Sequence, residues 1–123
     1  MANDLSKPIT EQQFTNSVLA WAKALGWRCF HVRTSGRMAA RGAIPTVQGD
    51  KGFPDLVLVR PPRLIFAELK VGRGKPSSQQ LEWLRDLLCI TPMSVEYSVW
   101  RPSDWSRLIV ILSRGKVQDA TAV

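Results

Sequence analysis

The spacing of apolar residues changes several times along this chain, and each change predicts an element. Phe14, Val18, Trp21, Ala22 and Leu25 recur at three- and four-residue steps, the stripe of a helix with one buried face. Thr10 and Gln13 fit a capping box that starts this helix at Glu11, and Gly26 is a natural stop. Residues 27–33 alternate imperfectly and predict a first strand. Residues 34–51 contain Gly36, Gly42, Gly49 and Pro45 without any period, so they read as a long loop. Two runs rich in Val, Ile, Leu and Phe follow, at 55–60 and 64–71, around an Arg60-Pro61-Pro62-Arg63 break. They predict the two strands of a hairpin. A glycine-containing loop at 72–76 leads to a second helix over 77–89. Its core face is Leu81, Leu84, Leu87 and Leu88, with Trp83 beside it, and Ser77 and Gln80 again fit a capping box. Residues 93–100 read as a fourth strand. Ser103 caps a last helix over 104–113, with Trp105, Leu108, Ile109 and Leu112 inward. The order is α-β-β-β-α-β-α, which predicts an α/β fold: a mixed central sheet flanked by helices, its central pair antiparallel.

The second hairpin strand carries the unusual pattern. Strand side chains alternate faces, so Ile65, Ala67, Leu69 and Val71 share one, and Leu64, Phe66, Glu68 and Lys70 the other. A carboxylate and an ammonium therefore end an otherwise apolar face. A strand, a turn and a return strand bring Asp55 opposite the 68–70 region. Charge in such a place needs compensation by a metal ion, by mutual pairing or by solvent. Two carboxylates on one spot make a hard oxygen site suited to Mg²⁺ or Mn²⁺, and a nearby lysine can orient a water or stabilise developing charge. The alternative is structural, a salt bridge from Lys70 to Asp55 or Glu68. Glu11 and Gln80 likewise have plain readings, as a first-turn acid and as a cap. His31, the only histidine, reads as structural.

Composition narrows the partner. The chain has 123 residues, 45% of them hydrophobic, which predicts one domain over 1–123 with its core at about 10–112 and a frayed tail at 114–123. Its 17 Lys and Arg outnumber 10 Asp and Glu, for a net charge of +7. That excess favours a polyanionic partner such as nucleic acid, although many small basic proteins are simply soluble. Arg33, Arg37, Arg41 and Lys51 line the glycine-containing loop before the hairpin and suit phosphate contacts. Cys29 and Cys89 form no disulfide framework, and with one histidine there is no zinc pattern. They read as buried free thiols. No run approaches the roughly 18 apolar residues of a membrane span, and residues 1–8 lack an apolar signal segment. The expected compartment is the cytoplasm of a bacterium or of a phage-infected host.

Gly52-x-Pro54-Asp55, then Glu68-Leu69-Lys70, resembles the PD-(D/E)XK nuclease superfamily, as does the element order. The pattern is closest to its virus-type replication-repair nuclease (VRR-NUC) branch. Gly52-Phe53-Pro54-Asp55-Leu56-Val57-Leu58, the basic loop after Lys70, and Ser77-x-x-Gln80 with Trp83-Leu84 carry that likeness. Glu11, Leu25-Gly26-Trp27 and Trp100-Arg101-Pro102-Ser103-Asp104-Trp105 resemble small stand-alone phage members. The resemblance implies a restriction-endonuclease-like α-β-β-β-α-β core. It makes Asp55 and Glu68 metal ligands, with the Leu69 carbonyl and Glu11 as further ligands. Lys70 becomes the catalytic lysine and Gln80 a site-lining residue. Arg73 and Lys75 join the DNA-contacting cations. The implied reaction is Mg²⁺- or Mn²⁺-dependent phosphodiester hydrolysis in branched or duplex DNA, by a homodimer resembling Holliday-junction resolvases. Its rivals are a non-catalytic nucleic-acid-binding module on the same fold and an interaction protein whose charged trio is a salt bridge.

Overall fold

The computed structural model describes residues 8–32, 49–90 and 95–115. Within them the chain is mixed α/β, with one four-stranded sheet and three α-helices. Helix α1 spans Glu11–Ala24, β1 Arg28–His31, β2 Leu56–Arg60 and β3 Arg63–Leu69. Helix α2 spans Ser78–Ile90 and β4 Val95–Trp100; a 3-10 turn at Pro102–Asp104 then opens α3, Trp105–Ser113. The sheet order is β1-β2-β3-β4. Neighbours β1–β2 and β2–β3 are antiparallel, and β4 runs parallel to β3 after the α2 crossover.

Register decides which side chains share a face. Cys29, Leu58 and Ile65 lie in one cross-strand row, and Phe30, Val57, Phe66 and Tyr97 in the next. The first face carries the core: Leu56, Leu58, Ile65, Ala67 and Leu69 are buried with Phe14, Val18 and Ala22 of α1 and Leu108 and Leu112 of α3. The opposite face carries Glu68 and meets α2.

Several expectations are corrected. Trp21 is not in the core. It is 38% exposed and meets Trp105 edge-on, ring centres 6.2 Å apart. Thr15 is buried instead, its hydroxyl donating to the Glu11 carbonyl at 2.8 Å. Phe14, Val18 and Ala22 centre the buried arc, and Trp21 falls at its rim. The hairpin break shrinks to Pro61-Pro62, because Arg60 pairs with Arg63. The first strand begins after Trp27, whose side chain is drawn into the core and donates to the Leu112 carbonyl at 2.9 Å. Ser103 does not cap α3; Pro102 opens a tight turn in which the Asp104 carboxylate accepts the Arg101 N–H at 2.9 Å. On α2, Leu81 and Leu88 are 42% and 49% exposed rather than core. The edge-on stack of Trp83 on Phe53 and Phe53 on Phe66 fills the space between helix and sheet. Cys89 is exposed and Cys29 half-buried, both free, and burial raises the Cys29 thiol pKa against the opposing pull of Lys23. The expectation for the tail meets structure only at Arg114 and Gly115; residues 116–123 lie outside the described residues. No helix among the described residues is long and apolar enough to cross a membrane.

The hairpin-turn end of the sheet is held by two arginines. Arg60 and Arg63 stack on Trp27, 4.6 and 5.1 Å from its ring centre. Arg60 donates to the carbonyls of Leu25, at 2.8 Å, and Arg114. Arg63 donates to the Ile111 carbonyl at 2.7 Å and grips Glu96 with two bonds of 2.7 and 2.9 Å. These carbonyls end α1 and α3, where helices leave acceptors unfilled. Replacing Arg63 with Met should lower stability by about 2–3 kcal/mol, the worth of charge-assisted bonds left unpaired. A shift in the urea midpoint measures it; an unchanged midpoint would show that this end of the sheet holds without the arginine.

Candidate active site

The sheet end opposite those arginines gathers the charges. Leu56 pairs with Ala67, so Asp55, one position before β2, stands opposite Glu68. Directly opposed residues of an antiparallel pair point to the same face. Lys70 follows two positions after Glu68 and shares its side. The turn that the sequence contains thus delivers the trio, through a register the observed two-residue connection sets.

Each member is held. Asp55 Oδ2 accepts the Leu69 N–H at 2.9 Å, and the Asp55 carbonyl accepts the Val32 N–H at 2.9 Å. Lys70 Nζ lies 3.8 Å from Glu68 Oε2, with 19% of its side chain exposed. Lys70 therefore pairs with Glu68 while its side chain stays partly exposed. Glu68 itself is 0% exposed, and its Oε1 has no hydrogen-bond partner. A fully buried carboxylate oxygen without a partner is costly. Its pKa is pushed up to about 8, first by burial and then by the Asp55 charge, with Lys70 pulling the other way.

Gln80 carries both of its readings at once. Its Oε1 accepts the Ser77 N–H at 2.7 Å while Ser77 Oγ accepts the Gln80 N–H at 3.1 Å, a complete capping box. Its Nε2 donates to Glu68 Oε2. Only an amide can accept at the helix start and donate to the carboxylate. The cap thus fixes the amide that fixes Glu68.

Gly52 sets the approach of the Asp55 segment to α2. Its φ is +97°, and a Cβ there would lie 2.5 Å from the Gln79 carbonyl carbon and 2.7 Å from the Gln80 nitrogen. Those are backbone atoms and cannot swing aside. Phe53 then inserts edge-on at Trp83, ring centres 5.0 Å apart, and Trp83 Nε1 donates to the Lys51 carbonyl at 3.1 Å. Replacing Gly52 with Ala should cost about 2–5 kcal/mol, from left-handed strain and overpacking together. It should also move Asp55 away from Glu68. A thermal melt and a cleavage assay on the same sample check this; a variant that matches the parent in both would show the contact to be slack.

The remaining candidates are placed less tightly. Glu11 begins α1 and is exposed. The other end of α1 meets Arg60 at the hairpin turn. Its carboxylate joins neither Asp55 nor Glu68, and no three His, Cys, Asp or Glu side chains converge among the described residues. Leu69 ends β3, buried, with its N–H taken by Asp55. Lys51, Arg73 and Lys75 are exposed. Arg33, Arg37 and Arg41 lie outside the described residues.

One neighbour of the site has no signal in the local sequence pattern. Tyr97 on β4 pairs with Phe66, so it shares the face of Glu68. Its phenol pKa is pushed up to about 12 by burial and by the charges of Glu68 and Asp55. The parallel β3–β4 register places it, and no local pattern signals that register. A cleft of about 390 Å³ beside α2 is lined by Asp50, Lys51, Gln79, Glu82, Trp83 and Asp86, so it does not contain the trio.

The donor set suits a hard divalent cation. Asp55 and Glu68 present carboxylate oxygens on one face, and the unpartnered Glu68 Oε1 is the atom a cation would satisfy. No family model, curated protein or solved structure matches the chain.

Proposed function

We propose that this chain is a Mg²⁺- or Mn²⁺-dependent DNA endonuclease with a restriction-endonuclease-like core, related to the VRR-NUC branch of the PD-(D/E)XK nucleases. The observation that carries the reading is the fully buried Glu68 carboxylate, its Oε1 without a hydrogen-bond partner, beside Asp55 and Lys70. A salt bridge alone would leave that oxygen unsatisfied. The net charge of +7 supports a polyanionic substrate.

Asp55 and Glu68 would hold the cation, with the Leu69 carbonyl as a further ligand. When bound, it lowers the pKa of a water and neutralises charge on the scissile phosphate. Lys70 places its ammonium where it can orient the attacking water or meet charge developing on phosphate oxygens. Gln80 keeps the Glu68 carboxylate in one orientation through Nε2. Glu11, at the start of α1, would serve as an outer carboxylate. The products would be a 5′-phosphate and a 3′-hydroxyl. Branched DNA is the proposed substrate and a homodimer the proposed assembly, since two sites about a two-fold axis suit paired incisions.

The deciding assay incubates purified protein and Mn²⁺ with four-way junction, flap, splayed-arm, single-stranded and plain duplex DNA of matched sequence. Cleavage of a branched member faster than the plain duplex is the expected result. Binding without cleavage on every member would leave a non-catalytic module on this fold.

A further inference from the structure

The face that carries Glu68 is covered unevenly. Phe53 and Trp83 stack over Phe66 on β3, and α2 also meets β4. Among the described residues, the β1–β2 half carries no such stack. There Phe30, on β1, is 63% exposed. Arg28, two positions earlier on the same face, is exposed as well. Cys29 and His31 between them turn towards the core side, so the exposure of Phe30 follows from register and not from a frayed strand.

Phe30 also stands next to the carboxylates. It pairs with Val57, and Asp55 lies two residues along β2 on the same face. One strand spacing across and two residues along place the two positions about 8 Å apart. That is close enough for one substrate strand to meet both. The cleft beside α2 carries Asp50, Glu82 and Asp86 against the single cation Lys51, a net negative lining that repels a polyanion. The β1–β2 side offers Arg28, which attracts one, and an open aromatic ring on which a base can stack.

We propose that Phe30 is a base-stacking platform, with Arg28 as its phosphate contact, for an unpaired nucleotide of the strand that enters the Asp55–Glu68 site. An exposed phenylalanine beside an arginine fits a flat, apolar base on a charged backbone, and a base inside a duplex offers no free face. The platform would select DNA with unpaired nucleotides, such as a branch point, over plain duplex. The proposal rests on the carboxylate site being a DNA-cleaving centre.

Binding is measured in EDTA, so that nothing is cleaved, with a single-stranded DNA carrying 2-aminopurine, the same strand as RNA, and its plain duplex. For the parent, quenching of 2-aminopurine on the single strand is expected. Phe30→Ala should weaken single-strand binding by about tenfold or more and remove the quenching. Duplex binding should stay within about twofold, since it rests on phosphate contacts. Phe30→Trp should keep both signals. Should Phe30→Ala melt below the parent, Phe30→Leu, which keeps apolar bulk without a ring, takes its place. Equal loss on single strand and duplex overturns the proposal, because the contact would then be general. So does an unchanged affinity, and so does a parent that binds no oligonucleotide because the ring serves a protein partner. Preference for the RNA strand overturns the DNA assignment. Cleavage is scored separately: quenching by a protein that cuts nothing with Mn²⁺ would sink the nuclease reading and leave the platform standing. Cleavage that depends on Asp55 with an inert Phe30 would do the reverse.

Discussion

Asp55→Asn and Lys70→Ala are each expected to reduce Mn²⁺-dependent cleavage by about 10²–10³ or more, the range seen when one charge-stabilising group is removed. The two changes probe different parts of the same centre. Asn keeps an oxygen that can accept the Leu69 N–H now bonded to Asp55 Oδ2, so the β2–β3 junction should survive. What it loses is the negative charge opposite Glu68. Lys70→Ala removes the ammonium 3.8 Å from Glu68 Oε2 and leaves both carboxylates in place. It should also push the Glu68 pKa higher still, because Lys70 is the influence that lowers it. Arginine is not an equivalent replacement, since its planar fork cannot serve as a compact point charge. Plasmid nicking, with melting curves to show that each variant is folded, reads the outcome. Undiminished nicking in both variants would end the nuclease proposal and return the trio to a structural role.

Glu68→Gln should make the protein more stable at high pH while abolishing cleavage. The Glu68 carboxyl has an ordinary value of 4.5 and is raised to about 8 in the fold. An acid raised in this way favours the folded state while it stays protonated. That contribution is complete below about pH 4.5 and is lost as the pH rises through about 8. Above that pH the wild type must bury an anion whose Oε1 has no partner. Glutamine carries no charge to bury, and its carbonyl can still accept from Gln80 Nε2. The variant should therefore match the wild type near pH 5 and exceed it by about 2–4 kcal/mol near pH 9. Urea titrations at the two pH values measure the difference. Mn²⁺ should close the gap, raising the melting temperature of the wild type and leaving Glu68→Gln unmoved. A pH-independent difference between the two proteins would mean that Glu68 is not buried as an acid. A gain in stability coupled to a loss of function is the signature of a site kept at a structural cost.

Local pattern was enough for much of the architecture. The Thr10–Gln13 and Ser77–Gln80 boxes start their helices, as expected, because a cap involves residues within one turn. The hairpin and its alternation place Asp55, Glu68 and Lys70 on one face, because a strand's period is two and its return is a short turn away. Where local pattern misled, a neighbour distant in sequence made the choice. Trp21 and Thr15 exchanged places at the rim of α1, where periodicity grades positions but the packed partner decides between them. Ser103 does not cap α3, because Pro102 opens a tight turn there and the Asp104 carboxylate bonds back to Arg101.

By itself, then, the sequence determined the element order, the mixed α/β class and the Asp55–Glu68–Lys70 convergence, all of which depend on short separations along the chain. Only the tertiary structure decided the rest. The parallel pairing of β3 with β4 brought Tyr97 beside the carboxylates. The position of α2 let Gln80 serve as cap and Glu68 partner together, and left Phe30 open on the other half of the face. These depend on which faces meet across a crossover. The physical reason is that a side chain's burial, charge state and partners are set by whatever packs against it, and periodicity does not encode that identity.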